Sequence, residues 1–274
     1  LTLAGIGTFL SLWHDYDPSA LDSLASIGWA YDDGSALTTF VNATLITGLF
    51  SILLGGGLVA VARSGAGKMA SESNASLTAF LFSVLTVAAL LLPTILGLLT
   101  DLSAENEKLL QDLFMHSLRA FIIIAVMINV LLTVAQRKGE TIQASNWFVF
   151  MALASFIFGS QFRFFGELAD STQVVWLGER MTQSWVMISL FFAVAYHLVP
   201  RAASRPIWSD SMTKASMLLL FFTLPPFMMS SADAGTLLEN LGAILMTLAL
   251  LPIFAGSVNI LSLIHISEPT RRTP

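Results

Sequence analysis

The stretch AFIIIAVMINVLLTVAQ, Ala120–Gln136, contains no charged residue and is followed directly by Arg137 and Lys138. Its length is close to the roughly 20 residues that an α-helix needs to cross about 30 Å of hydrocarbon. Its apolar residues are continuous and do not alternate with polar ones, as they would in a barrel strand. Arg119, just before the stretch, lengthens it by a turn if its side chain extends outward to the membrane surface. This stretch therefore predicts a transmembrane helix that ends in a basic loop.

Seven further apolar stretches of the same kind flank it on both sides. They are Leu1–Trp13, Gly34–Ala62, Ser73–Thr100, Thr141–Phe162, Met181–Pro200, Ala215–Ala232 and Asn240–Ile260. The first is too short to cross the hydrocarbon, and we expect it to be the end of a truncated span. The linkers are short and no internal repeat is visible. The sequence therefore predicts a single all-α domain, a polytopic transmembrane helix bundle of about eight spans.

The composition supports a membrane protein and excludes other classes. Hydrophobic residues make up 55% of the 274 residues and charged residues only 11%, against about a quarter charged in a soluble domain. This leaves too little polar surface for a soluble enzyme or a disordered chain, and the net charge of −5 argues against a nucleic-acid partner. The absence of cysteine excludes disulfides, thiolate metal sites and cysteine nucleophiles. The partner that the composition predicts is the lipid bilayer.

The charges of the loops predict the orientation in the membrane. Basic residues concentrate in the loops after the second, fourth and sixth stretches: Arg63, Lys68, Arg137, Lys138, Arg201, Arg205 and Lys214. The opposite loops hold most of the acidic residues, among them Asp32, Glu105 and Asp170. By the positive-inside rule, the loops of Arg63, Arg137 and Arg201 are predicted to be cytoplasmic, in the inner membrane of a bacterium.

Residues suited to metal or acid–base chemistry are few. His14, His116 and His197 lie on three different predicted spans and near opposite membrane faces, so they do not form a three-histidine metal site. Asp112, His116 and Arg119 share one helical face at i, i+4 and i+7, and the favoured interpretation is a charged outer end of a span. The same outer face is predicted to hold a polar cluster: Asp112, His116, Arg119, Arg163, Glu167, Glu179 and Arg180. The glycine run Gly55–Gly57 is interpreted as a helix-packing contact and not as a phosphate loop, because no lysine follows it.

Five segments, in order along the chain, resemble one known family. They are FVNA (Phe40–Ala43), AQRKGETIQASNWF (Ala135–Phe148), VVWLGER (Val174–Arg180), VPRAASRPIWSDSMTKA (Val199–Ala215) and LPIFAGSVN (Leu251–Asn259). Together they resemble subunit I of the cbb-type (C-family) cytochrome c oxidases, which carry H-T-N-A in helix two and a V-P-K-Q-A-E-R-P-V-Y-S-like segment between helices six and seven. The resemblance implies the helix bundle of the haem–copper oxidase superfamily and a place in respiratory electron transport. It also implies other respiratory-complex subunits as partners.

The residues at the family's ligand positions differ. Where the family has the helix-two histidine that binds the low-spin haem, this chain has Phe40. The copper-binding histidine of helix six falls on Arg180, or on Glu179 if one gap is allowed. The active-site tyrosine falls on Leu224, and the paired histidines of helix seven fall on Ser230–Ser231.

These replacements remove the metal chemistry of the family. Phenylalanine has no lone pair for iron, arginine stays cationic, and serine binds copper poorly. No cofactor is therefore predicted for this region. A haem could be held only through later helices that the sequence does not include.

Three functions are compatible with these observations. The first, which we expect, is a pseudo-oxidase: a degenerate, non-catalytic homologue with a role in assembly, electron-transfer complexes or regulation. The second is a working, haem-binding cytochrome c oxidase-like oxidoreductase whose ligands lie elsewhere. The third is a membrane transporter or ligand-binding protein on the same bundle, although several predicted spans carry no ionisable residue.

The C-terminal segment LSLIHISEPTRR, Leu261–Arg272, resembles the in-frame translation of a transposase adapter used in sequencing libraries. We therefore expect residues 1–260 to form the membrane domain and residues 261–274 to be a non-native scar. On this interpretation the charged residues of the segment have no functional meaning.

Overall fold

The structure is a computed structural model that describes residues 2–22, 36–65, 67–99, 103, 106, 109–110, 113–137, 142–228 and 235–265. The regular elements within these residues are helices. The α-helices are α1 (Thr2–Tyr16), α2 (Ala36–Ser64), α3 (Glu72–Leu99), α4 (Arg119–Ala135), α5 (Ala144–Leu168), α6 (Thr172–Arg180), α7 (Val186–Ala202), α8 (Asp210–Met228) and α9 (Thr236–His265). Two π-helical turns accompany them: Leu113–Leu118 precedes α4, and Met181–Trp185 joins α6 to α7.

Six helices of the described chain are long and apolar enough to cross a membrane. They cover Thr44–Ser64, Glu72–Ala89, His116–Ala135, Ala144–Leu168, Thr172–Ala202 and Thr236–Ser262. Helix α6, the second π-helical turn and α7 thus form one continuous span. The all-α, multi-pass fold class is confirmed. The total of eight spans stays a prediction, since α1 has only 15 residues and neither α1 nor α8 is among the six.

Helix α9 ends at His265 and so includes the first turn of the segment Leu261–Pro274. Leu261 is exposed, whereas the preceding Ile260 is buried. From residue 266 onward the segment lies outside the described residues, and its origin stays a prediction.

Helix α5 lies at the centre of the bundle. It packs against α2, α4, α6 and α7, and its side chains Phe148, Val149 and Leu153 are almost completely buried. Peripheral helices expose large apolar side chains, such as Phe121 at 61% and Phe254 at 70%. An apolar outer surface around a packed core is the arrangement expected in a bilayer, whose lipid tails are as apolar as the protein interior.

Two glycines let α2 approach the centre closely. A Cβ atom at Gly57 would lie 3.0 Å from a methyl carbon of Val149 on α5, and one at Gly56 would lie 2.9 Å from a methyl carbon of Val194 on α7. Both distances are shorter than ordinary van der Waals contact, so a larger residue would push the helices apart. Gly55 faces open space. The helix-packing interpretation of this glycine run is thus confirmed for Gly56 and Gly57.

A buried asparagine holds the loop that leads into α3. The side-chain oxygen of Asn129, on α4, accepts a hydrogen bond from the Ser71 backbone N–H at 3.0 Å, and its amide nitrogen donates to the Ser71 carbonyl at 2.8 Å. The Ser71 hydroxyl accepts from the Asn74 N–H at 3.2 Å and caps α3. Asn129 is only 3% exposed, so both backbone groups would lack partners if its amide were lost. We name this pairing of Asn129 with the Ser71 backbone the first clamp.

The loop that leads into α8 is held in the same way. Asn259, on α9, accepts from the Ser209 N–H at 3.0 Å and donates to the Ser209 carbonyl at 2.9 Å. The Ser209 hydroxyl accepts from the Met212 N–H at 3.1 Å. We name this pairing of Asn259 with the Ser209 backbone the second clamp.

The two clamps share one hydrogen-bond pattern. In each, a buried asparagine of a later helix pairs with both backbone groups of the serine that directly precedes a helix. In the sequence, Arg63 and Arg201 each precede the clamped serine by eight positions. The sequence analysis does not find this pattern, because it consists of a few polar residues set among many apolar ones.

Candidate functional site

The predicted outer-face cluster contains an ion pair that joins α5 to α6. A guanidinium nitrogen of Arg163 lies 2.6 Å from a carboxylate oxygen of Glu179, and the two side chains are 19% and 35% exposed. Beside it the helices meet through glycine. A Cβ atom at Gly178 would lie 2.6 Å from the Gly159 carbonyl oxygen and would overlap the backbone nitrogen of Arg163. The ion pair therefore lies beside a crossing of α5 and α6 at which the two backbones are in direct contact.

Arg119 departs from the outward orientation expected from the sequence. It is 5% exposed and donates to the Thr86 hydroxyl at 3.1 Å. Its guanidinium carbon lies 5.3 Å from the centre of the Phe82 ring. The expectation that Arg119 extends to the membrane surface is wrong. A hydroxyl acceptor and an aromatic face, both on α3, offset part of the cost of burying the cation, so this residue joins α3 to α4.

Arg180 and Glu179 are neighbours in sequence but have different partners. Arg180 is exposed, and its guanidinium carbon lies 5.3 Å from the centre of the Trp176 ring, one turn earlier on α6. Glu179 pairs with Arg163 across the helix crossing. Glu179 therefore pairs with Arg163 of α5 and not with its sequence neighbour Arg180.

Two other members of the predicted cluster, His116 and Glu167, lie near the ends of helices. His116 lies in the π-helical turn before α4, and Glu167 lies in the last turn of α5; both are partly buried. Asp112 lies outside the described residues, so the predicted i, i+4, i+7 face is described only at His116 and Arg119.

The residues that the resemblance places at ligand positions are unsuited to binding copper or a low-spin haem. Arg180 presents a guanidinium, which stays cationic and has no acceptor atom to give to a metal. Phe40 and Leu224 lie in α2 and α8 with their side chains outside the described part of the structure, and Ser230–Ser231 lies wholly outside it. Among the described residues, no group of three or more histidines, cysteines, aspartates or glutamates could hold a metal ion.

A polar pocket opens at the end of the bundle where α4 and α7 end and α5 and α8 begin. Its volume is about 690 Å³, and the residues that decide its chemistry are Arg137, Ser145, His197, Arg201, Asp210 and Lys214. We name it the end pocket. The structure thereby brings into one pocket basic residues that the sequence predicts only to share a side of the membrane.

The charge of the end pocket is predominantly positive. Among the described residues that line it, Arg137, Arg201 and Lys214 are basic and Asp210 is acidic. Asp210 pairs with Lys214 at 2.6 Å. The two members of this pair lie one turn apart on α8 and are 72% and 73% exposed, so water weakens their attraction. With three basic residues and one acidic residue, the described lining carries a formal charge of +2; Arg137 also donates to the Val134 carbonyl at 2.9 Å.

Helix α5 begins at the end pocket and adds to its positive potential. Its first residues, Ala144 and Ser145, line the pocket, and the side chain of the preceding Gln143 makes no capping hydrogen bond. The N–H groups at the start of a helix have no partners within the helix and favour anions. The helix dipole acts in the same direction.

His197 lies in the wall of the end pocket. It is 4% exposed, and neither ring nitrogen has a hydrogen-bond partner in the described part of the chain. A neutral imidazole carries one donor and one acceptor, and each costs about 1–3 kcal/mol when buried without a partner. The adjacent Tyr196 stacks on Phe148 of α5, with 5.6 Å between ring centres, and so fixes this end of α7. The imidazole is thus held in place with two hydrogen-bonding atoms unused by the protein.

The sequence analysis does not identify the end pocket. It assigns the basic residues to separate loops and gives His197 no functional role. The local signal is the i, i+4 spacing of His197 and Arg201, which places both on one face of α7. Their approach to Arg137 joins parts of the chain about sixty positions apart, which only the tertiary structure brings together.

Comparison with known proteins adds no assignment to these residues. No protein-family model and no curated protein matches the chain. The resemblance to oxidase subunit I therefore rests on the five segments quoted above. The chemistry of the end pocket rests on its own geometry.

Proposed function

We propose that this chain is a non-catalytic membrane subunit with the helix bundle of the haem–copper oxidases, acting in the assembly or regulation of a respiratory complex. Five segments that resemble subunit I of the cbb-type oxidases, in the same order, support the proposal. The observation that carries it is Arg180. This residue stands where the family has a copper-binding histidine, and its guanidinium lies over the Trp176 ring.

The surroundings of Arg180 oppose a copper site. The adjacent carboxylate, Glu179, lies 2.6 Å from Arg163 and is engaged by that cation. A copper ion here would lie near two guanidinium groups and would have to displace the ion pair. Repulsion between like charges and the loss of a pair that closes the α5–α6 crossing both act against binding.

We expect protein extracted from membranes in mild detergent to contain far less than one copper ion per chain and to reduce no oxygen. Copper is measured by mass spectrometry, haem by the absorption spectrum after reduction, and oxygen consumption with an electrode. The variant Arg180→His is the matched control. It should stay free of copper, because one imidazole does not complete a metal site.

Two results would change this assignment. Stoichiometric copper in the unmodified protein would refute the non-catalytic proposal. Haem without copper would instead support the haem-binding oxidoreductase, with its ligands outside the positions discussed above.

The end pocket favours a second candidate function, that of a ligand-binding membrane protein. The positive formal charge of its described lining and the start of α5 suit an anionic ligand. Both functions are compatible in one chain, because Arg180 and His197 lie toward opposite ends of the same span, Thr172–Ala202.

The proposed orientation places the end pocket on the cytoplasmic side of the membrane. Because the chain has no native cysteine, single-cysteine variants can be labelled without background. Ala169 directly follows α5, and Ala202 is the last residue of α7; both are exposed. Because α5 and the span Thr172–Ala202 are consecutive, these two residues are expected on opposite sides of the membrane. In intact cells we expect a membrane-impermeant maleimide to label Ala169→Cys and to spare Ala202→Cys until the membrane is permeabilised. Labelling of Ala202→Cys alone would reverse the orientation.

A further inference from the structure

An apolar groove leads from the end pocket toward the middle of the helix bundle. Its volume is about 520 Å³, and Trp147, Met151, Phe158, Met217 and Phe221 are among the residues that line it. Trp147 lines the end pocket as well. The two cavities therefore adjoin at this side chain, and we name the apolar one the membrane groove.

We propose that the end pocket and the membrane groove together bind one anionic phospholipid, with the phosphate in the end pocket and one acyl chain in the membrane groove. A free phosphate would occupy only the end pocket. A neutral lipid would gain nothing from the positive charge of the end pocket. The lipid site does not depend on the non-catalytic role proposed above, because it uses none of the residues at the oxidase ligand positions.

The end pocket supplies the donors that a phosphate group needs. Arg137 and Arg201 carry guanidinium groups, which can bind phosphate oxygens through two parallel hydrogen bonds. The uncapped start of α5 at Ser145 presents backbone N–H groups. These groups follow or belong to α4, α5 and α7, so a bound phosphate would tie three helices together.

The membrane groove has the length of one lipid leaflet. On α5, Trp147 and Phe158 lie eleven residues apart, which is about 16 Å along the helix axis. Half of the hydrocarbon core measures about 15 Å. On α8, Met217 and Phe221 follow Lys214 at i+3 and i+7 and continue the same face inward. An acyl chain that starts at the phosphate would therefore reach the middle of the bilayer within the groove.

The wall of the membrane groove suits a flexible chain. Methionine fills irregular space with an adaptable thioether side chain, and four of them line the groove: Met127, Met151, Met181 and Met217. On the proposed orientation the end pocket faces the cytoplasmic leaflet, whose anionic lipids attract basic residues next to the membrane.

The test measures lipid retention by the detergent-purified whole chain in native mass spectrometry. The probes are dioleoyl phosphatidylglycerol, dioleoyl phosphatidylcholine with the same acyl chains, and inorganic phosphate. We expect phosphatidylglycerol to bind at least about fivefold more tightly than phosphatidylcholine, the effect of roughly one basic residue near a headgroup. Inorganic phosphate should not compete at equal concentration.

Two pairs of variants separate the headgroup from the chain. Arg201→Gln should weaken phosphatidylglycerol binding about fivefold. The control Arg205→Gln removes the same charge four residues later, at a position that does not line the end pocket, and should leave binding unchanged. Ala154→Trp fills the membrane groove and should also weaken binding. Its control is Ala243→Trp, on an exposed position of α9.

Three outcomes would overturn the proposal. Equal binding of phosphatidylglycerol and phosphatidylcholine would show that the negative charge of the headgroup does not contribute to binding. An equal loss in Arg201→Gln and Arg205→Gln would show that general charge, not the end pocket, attracts the lipid. Full competition by inorganic phosphate, with no effect of Ala154→Trp, would assign the pocket to a free anion.

Discussion

Replacing Gly178 by valine is expected to lower the unfolding temperature of the purified protein by about 10 °C or more, or to prevent its accumulation in the membrane. Any Cβ atom at this position would lie 2.6 Å from the Gly159 carbonyl oxygen and would overlap the Arg163 backbone nitrogen. Both are backbone atoms of α5 and cannot rotate away. Overpacking costs about 1–3 kcal/mol where side chains can move. We expect a larger cost here, because separating the helices also breaks the Arg163–Glu179 ion pair.

The matched control for this variant is Gly55→Val. Gly55 lies within a membrane helix as well, but a Cβ atom there meets nothing within 4 Å. The control should therefore unfold within a few degrees of the unmodified protein. Both are measured by size-exclusion chromatography after stepwise heating in detergent. If Gly178→Val and Gly55→Val are equally stable, the close α5–α6 crossing does not form.

Replacing Asn259 by leucine is expected to produce the second large loss of stability. Its amide pairs with the N–H and the carbonyl of Ser209, and it also donates to the Thr213 hydroxyl at 2.7 Å. Asn259 is completely buried. Leucine has a similar size but leaves two backbone groups without partners, each at a cost of about 1–3 kcal/mol. The expected loss in the free energy of unfolding is about 2–5 kcal/mol, measured from the thermal unfolding midpoint.

The same experiment tests whether the two clamps are equivalent. Asn129→Leu should destabilise the protein by a similar amount, because it removes the same pair of hydrogen bonds from Ser71. The control is Asn240→Leu, an exposed position at the start of α9, which should have little effect. The double variant should show nearly additive losses, since the clamps share no partner. A clamp variant as stable as the Asn240→Leu control would contradict this account of the clamps.

The helical, multi-pass class of this protein follows from the length and apolarity of single stretches such as Ala120–Gln136. The position of a charged side chain at the end of such a stretch does not follow from these properties. Arg119 is expected at the membrane surface on general grounds, yet it is buried against Thr86 and Phe82 of α3. Its position depends on whether a neighbouring helix offers an acceptor and an aromatic face, which no local pattern records.

The candidate sites also divide into a part that the sequence predicts and a part that only the tertiary structure shows. The predicted topology places Arg163, Glu179 and Arg180 on the outer face of the membrane, and the structure pairs Glu179 with Arg163. The end pocket, in contrast, is not foreseen at all. Its residues come from the ends of four helices, and each of them taken alone is an ordinary basic or interfacial residue.

The sequence by itself determined that the chain is helical and that several of its helices are long and apolar enough to cross a membrane. These properties follow from the free energy of transferring each residue from water to hydrocarbon, which depends only on the local sequence. Only the tertiary structure decided the Asn129 and Asn259 clamps, the glycine crossing of α5 with α6, and the meeting of Arg137, His197 and Arg201 in one pocket. In lipid the apolar residues are nearly interchangeable, so the pairing of helices depends on a few polar and small residues whose partners are distant in sequence.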